Sequence, residues 1–288
     1  MLAIYKREVK SYFQSMIGCV FVAFLTAFTG IYFTAYNLTA GYPYFSYTLS
    51  GSLIVFLVGI PLITMKSFAE ERKNKTDQLL LTAPISLVKV VLGKYLAMVT
   101  VVAVPNMIFC LYPLLIQMNG TAYLKIDYIS IGVFFLLGCV YIAIGMFMSA
   151  LTESQIIAFI STFGVLLVLY LWDGLMGFLP SSALSCMTGV IVLLSMVVLY
   201  LWQMTSNRGL CAVSEAAIVI GCVGTYLIKP GLFENLLTKL LGNLALANVF
   251  TGITANHIVD VSGLALYLSV IVVCICLTIQ AIQKRRWS

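Results

Sequence analysis

Apolar residues in this chain come in long runs separated by short polar segments. Eight runs are long enough to cross a bilayer: about residues 16–36, 49–65, 95–118, 129–151, 155–178, 186–204, 213–229 and 263–283. A helix crosses the hydrocarbon layer with about 20 predominantly apolar residues. The pattern predicts an all-α integral membrane protein of about eight transmembrane helices, with residues 1–288 forming a single transmembrane domain.

The segments between the runs have patterns of their own. Residues 1–15 set Leu2, Ile4, Tyr5, Val9, Tyr12 and Phe13 among Lys6, Arg7, Glu8 and Lys10, which predicts a helix lying in the membrane interface. Residues 66–94 hold much of the charge. Residues 185–230 form a pair of spans joined by a short loop around Arg208. In residues 231–262, Leu232, Phe233, Leu236, Leu237, Leu240, Leu241 and Leu244 recur at helical spacing opposite Glu234, Asn235, Thr238, Lys239 and Asn243, an amphipathic pattern.

Composition agrees with a lipid environment. Apolar residues make up 62% of the chain and charged residues 9%, against about 45–50% and about 25% in soluble domains. The net charge of +6 does not point to nucleic acid, because the basic residues cluster beside apolar runs: Lys6, Arg7 and Lys10; Arg72, Lys73 and Lys75; Lys284, Arg285 and Arg286. Of the eight cysteines, six lie inside apolar runs; there is no C-x-x-C, and His257 is the sole histidine. That argues against metal or redox chemistry. The first run is longer than a typical signal-peptide core and reads as a retained span.

Charge asymmetry orients the spans. With the N-terminus in the cytoplasm, 13 of the 16 Lys and Arg residues fall inside, and only Lys125, Lys229 and Lys239 fall outside. The positive-inside rule therefore puts both termini in the cytoplasm.

The cytoplasmic segment has a defined start and stop. Ser67 with Glu70 reads as a capping box, and Glu71 with Lys75 as a favourable i,i+4 pair. Leu79, Leu80 and Leu81 form an apolar tip, Pro84 ends the helix, and Ser86 is placed to cap the next one. An ordinary solvated loop would not need such leucines, so the segment reads as a docking element for a partner protein.

Here the sequence resembles a known family. Ser67-Phe-Ala-Glu-Glu-Arg72, then Thr76, Leu79-Leu-Leu-Thr82, Pro84 and Ser86, look like the cytoplasmic loop of type-2 ABC transporter permeases. Tyr5-Lys-Arg-Glu8 is similar to their elbow helix. The outward amphipathic segment and Gln283-Lys-Arg-Arg-Trp287 resemble the gliding-motility branch. The likeness covers about residues 1–180 and 232–288, and residues 185–230 add two spans to the usual six.

The resemblance implies a permease subunit of an ATP-driven exporter in the bacterial cytoplasmic membrane. It implies a separate ABC ATPase subunit as partner, contacted through Glu70, Glu71, Arg72, Thr76, Leu79, Leu80, Leu81, Pro84 and Ser86, and a second permease beside it. ATP and Mg would be bound on the ATPase, leaving this chain without a cofactor or catalytic residue. The sequence contains no G-x-x-x-x-G-K-[ST]; Gly93-Lys94 lacks the first glycine and the hydroxyl residue.

Other polar positions carry weaker signals. Asp173 is the candidate intramembrane polar site. Glu215 fits a helix N-terminus, and Glu153 a short turn. Asn37 and Asn119 head formal glycosylation sequons on the outer side. Two rival readings are a stand-alone secondary transporter, which should show buried charges or broken helices at mid-membrane, and a membrane anchor that transports nothing. Pro105 and Pro113 are the positions able to break the third span.

Overall fold

The computed structural model describes residues 1–76, 86–178, 182–205, 245–256 and 260–287, with positions 215, 224–226, 231, 236 and 241–242. Most of the described residues are helical, and none is in a strand. The chain divides into two compact units, Met1–Tyr170 with Leu246–Ser288, and Leu171–Ala245.

The first unit begins with α1 (Leu2–Gln14) and α2 (Ile17–Phe33), which continues as a π-helical stretch, Thr34–Thr39. It goes on through α3 (Ser46–Thr64), the short α4 (Ala69–Lys73), α5 (Leu87–Phe109), α6 (Tyr112–Asn119), α7 (Leu124–Leu151) and α8 (Gln155–Tyr170). After the second unit it closes with α11 (Leu246–Asn256) and α12 (Val261–Trp287). The second unit contains α9 (Trp172–Met176) and α10 (Ala183–Thr205).

Five helical segments are long and apolar enough to cross a membrane: Ile17–Thr39, Ser46–Lys73, Leu87–Asn119, Leu124–Leu151 and Val261–Lys284. They match the first four expected spans and the last. The fifth expected span, 155–178, is corrected. Its helix α8 has 16 residues and stops at Tyr170, about 24 Å at 1.5 Å per residue, and a separate helix starts at Trp172. The sixth run is covered by α10, of which Ala183–Val192 counts as a shorter apolar helix. The seventh, 213–229, lies mostly outside the described residues.

The prolines behave differently from one another. Pro105 sits inside α5 without ending it. Pro113 stands in the first turn of α6, where its missing N–H is not needed, and the helical path breaks just before it at Cys110 and Leu111.

The core of the first unit is built from α2, α3, α5 and α7, closed by α11 and α12. Glycine brings the helices close. A Cβ at Gly145 of α7 would stand 2.5 Å from the Thr64 hydroxyl of α3, and one at Gly59 would meet the Phe21 ring at 2.6 Å. Small residues that let backbones approach are how apolar helices pack without help from water. Phe56 stacks on Phe134 at 4.5 Å, and Phe134 meets Phe109 and Phe250 edge-on.

The amphipathic stretch 231–262 is described mainly over its second half. Leu246, Phe250 and Ile253 of α11 are buried in the core, and the Tyr267 hydroxyl donates to the Leu246 carbonyl at 2.5 Å. This part packs on protein. Leu232, Phe233, Leu237, Leu240 and Leu244 lie outside the described residues. In the second unit, buried Cys186 packs with Met187, Val190, Leu236 and Leu241, and Trp172 Nε1 donates to the Leu241 carbonyl at 2.8 Å.

Candidate functional site

A cluster of charged residues of the first unit gathers at one end, where α3 and α7 finish and α5 starts. Lys94, in the second turn of α5, is 2% exposed. Its ammonium donates to the Ser67 carbonyl at 2.8 Å, to Glu71 Oε1 at 2.8 Å and to Glu8 Oε1 at 3.3 Å. A lysine has three N–H donors, so all three are used. The Phe68 ring lies 5.2 Å from the same nitrogen, a cation–π distance.

Arg7 bridges the same two carboxylates from the outside, at 2.7 Å to Glu8 and 3.2 Å to Glu71. The hydrogen bond to Glu8 raises its pKa above the ordinary value against the lowering effect of burial. Tyr12 completes the joint: its hydroxyl donates to the Ile63 carbonyl at 3.1 Å. Burial pushes that phenol above its usual range, with Glu8, Glu70 and Glu71 adding to the shift.

The short helix after α3 is capped from a distance. Its first residue is Ala69, and Phe68 stands at the N-cap without a side-chain cap. The capping box expected of Ser67 and Glu70 is not made, since the Ser67 hydroxyl is buried without a hydrogen-bond partner among the described residues. Ser149 of α7 replaces it, its Oγ accepting from the Phe68 N–H at 3.2 Å and the Ala69 N–H at 3.1 Å. Arg72 donates to the Thr152 carbonyl at 3.1 Å just past α7, where a cation suits the negative end of a helix.

The same helix stops after Lys73, well short of Pro84. Lys75 takes a left-handed conformation (φ 55°). Its N–H bonds to the Arg72 carbonyl at 3.0 Å, and the Thr76 N–H to the Glu71 carbonyl at 2.9 Å. That pair of bonds is a Schellman motif, which closes a helix. It also rules out the helical Glu71–Lys75 pair, and Glu71 turns to Lys94 and Arg7 instead.

Of the expected contact residues, Glu70, Glu71 and Arg72 are brought together on α4, and Thr76 is exposed beyond it. Ser86 takes the N-cap position of α5 in extended conformation, without a side-chain cap bond. Leu79, Leu80, Leu81 and Pro84 lie outside the described residues. On α1, Lys6 and Arg7 are exposed, and Tyr5 donates to or accepts from the Thr100 hydroxyl at 2.9 Å.

The opposite end is organised by Asn37 and Asp127. Asn37 is buried; its amide donates to the Tyr42 and Tyr44 carbonyls at 2.8 and 3.1 Å and its oxygen accepts from Thr48 at 2.6 Å. Asp127, in the first turn of α7, is 0% exposed and accepts from the Phe45 N–H at 2.8 Å, ahead of α3. Its other oxygen has no partner among the described residues. Asp173, the carboxylate singled out by the sequence, is instead exposed on α9.

Sequence reasoning missed Lys94, Ser149 and Asp127. Lys94 looked like the edge of a charged loop, although the next residue opens an apolar run. Asp127 fell just outside the fourth run as drawn from hydropathy. Ser149 carried no local signal at all, because its partners are some 80 positions away in the chain.

No curated protein matches the chain. The family model described as ABC-2 family transporter protein matches residues 2–197, from α1 into α10. Four of the five apolar spans fall within the match, and the protein belongs to the ABC-2 transporter family as a membrane permease of an ABC transporter.

Proposed function

We propose that the protein is the membrane-spanning permease subunit of an ATP-driven exporter, coupling hydrolysis on a separate ATPase subunit to substrate movement. The observation that carries this is the ionic joint around Lys94. It ties α1, the end of α3 and the start of α5 into one body, while Ser149 and Arg72 tie α4 to the end of α7. A push on residues 66–94 would therefore reach several spans together, as a coupling element requires.

In this reading the charged end faces the cytoplasm of a bacterial cell and both termini lie there, in keeping with the positive-inside rule. The helix α1 acts as the elbow helix in the membrane interface. Glu70, Glu71 and Arg72 brace the segment; Thr76, Leu79, Leu80, Leu81, Pro84 and Ser86 meet the ATPase, which holds ATP and Mg. A second permease completes the pathway. The span pair 185–230 is an accessory element, and the likeness of the outward amphipathic stretch and the basic C-terminus to the gliding-motility branch supports a place in that branch. A stand-alone secondary transporter is less well supported, because the buried charges Lys94 and Asp127 sit within the first two turns of their helices, away from mid-membrane.

Docking tests the reading. Burying a leucine at a contact contributes about 1.5–3 kcal/mol, worth one to two orders of magnitude in affinity at about 1.4 kcal/mol per tenfold. Leu80→Asp should abolish co-purification of the ATPase while leaving the permease in the membrane. Unchanged assembly and unchanged ATP hydrolysis would overturn the proposal.

A further inference from the structure

A cleft of about 270 Å³ opens between α1 and α5, lined by Met1, Leu2, Tyr5 and Leu96. Leu2 is 68% exposed and Leu96 40%, so apolar surface is presented at the place where the chain enters its charged end. The backbones approach closely beside it, since a Cβ at Gly93 would stand 3.2 Å from the Ile4 side chain and 3.5 Å from the Met1 carbonyl.

Both helices also carry basic residues in register with residues that line this cleft. Residues four apart on a helix are neighbours on one face, so Leu2, Lys6 and Lys10 form one stripe of α1. Lys89 and Leu96, seven apart, share a face of α5, with Lys89 in the first turn and Leu96 about 10 Å further into the apolar layer. Lys6, Lys10 and Lys89 are exposed. The neighbouring charges cancel among themselves, Arg7 and Lys94 against Glu8 and Glu71. Lys89 also places a positive charge at the positive end of its helix, which an anion would relieve.

We infer that this cleft binds one anionic phospholipid, its acyl chain along Leu2, Tyr5 and Leu96 and its phosphate between Lys6 and Lys89. An apolar slot leading to a basic rim at the level of the headgroups is how membrane proteins recognise such lipids. A zwitterionic lipid offers the same chain but cancels the phosphate charge. The inference rests on the chain spanning a membrane and not on its coupling to ATP, so it is tested on the permease alone.

The purified permease in detergent is titrated with phosphatidylglycerol or with phosphatidylcholine, and bound lipid is counted by native mass spectrometry. One phosphatidylglycerol should be retained, at least tenfold more tightly than phosphatidylcholine. Lys6→Gln with Lys89→Gln, both exposed and outside the ionic joint, should lose about tenfold in phosphatidylglycerol affinity and leave the lipid-free unfolding temperature unchanged. Leu96→Trp, which fills the slot, should weaken retention of the lipid with the basic rim intact. Equal binding of the two lipids, or undiminished phosphatidylglycerol binding in either variant, would overturn the site. Loss of ATPase docking by Leu80→Asp has no bearing on these readouts.

Discussion

Lys94 and Asp127 are both withdrawn from solvent in the first unit, one at each end of the helical core, yet their surroundings differ. The ammonium of Lys94 spends all three protons on acceptors drawn from α1 and from the turn after α3. Asp127 uses one oxygen on a single backbone N–H and leaves the other without a partner among the described residues. Burying a charge is costly unless it is paired and hydrogen-bonded. The Lys94 end is therefore locked by several segments meeting on one shared group, whereas the Asp127 end is held by separate bonds, one from the Phe45 N–H to Asp127 and others among residues 37–48 around Asn37. Under the proposed coupling, the joint would suit the end where force enters, and the more loosely bonded end the one that opens.

The comparison can be broken most forcefully at Lys94. Lys94→Met would leave Glu8 and Glu71 facing each other with only Arg7, and removing one partner of a buried pair costs about 3–5 kcal/mol. A large fall in the unfolding temperature in detergent is expected, together with loss of ATPase stimulation. An unaltered unfolding temperature would show that the joint is not what holds this end. Ser149→Ala comes next, because it strips the acceptor from two buried N–H groups. The expected loss is about 1–3 kcal/mol, visible as faster hydrogen exchange at Phe68 and Ala69.

At the other end, Asp127→Ala should fall at the lower end of about 1–3 kcal/mol, since one buried N–H rather than two loses its acceptor. Co-purification of the ATPase should survive it, and a docking defect equal to that of Lys94→Met would erase the distinction between the ends. The smallest effect is expected of Arg7→Gln. Arg7 is 60% exposed and touches the same carboxylates as Lys94, but exposed pairs are worth about 0–1 kcal/mol. A loss as large as that of Lys94→Met would mean that burial does not set the hierarchy of this cluster.

Hydropathy alone located the four spans that cover residues 17–39, 46–73, 87–119 and 124–151, and the last one. It worked because lipid imposes one uniform demand on every residue of a crossing helix, whatever its neighbours are. The amphipathic pattern of residues 1–15 likewise appears as α1. The charge clusters also marked the segment where the joint forms, since Glu8, Glu71 and Arg72 were singled out before their partners were known.

What the tertiary structure decided are the features that depend on neighbours distant in the chain. A local cap at Ser67 gave way to Ser149, and a local Glu71–Lys75 pair to Lys94 and Arg7, because burial made those distant groups the available partners. The early stop of α4 came from a left-handed Lys75, a conformation that propensity does not foresee for lysine. Sequence by itself determined which segments meet lipid, because solvation by lipid is a property of each segment. Only the folded chain determined which charges are buried and paired, because pairing is a property of two positions that no local pattern connects.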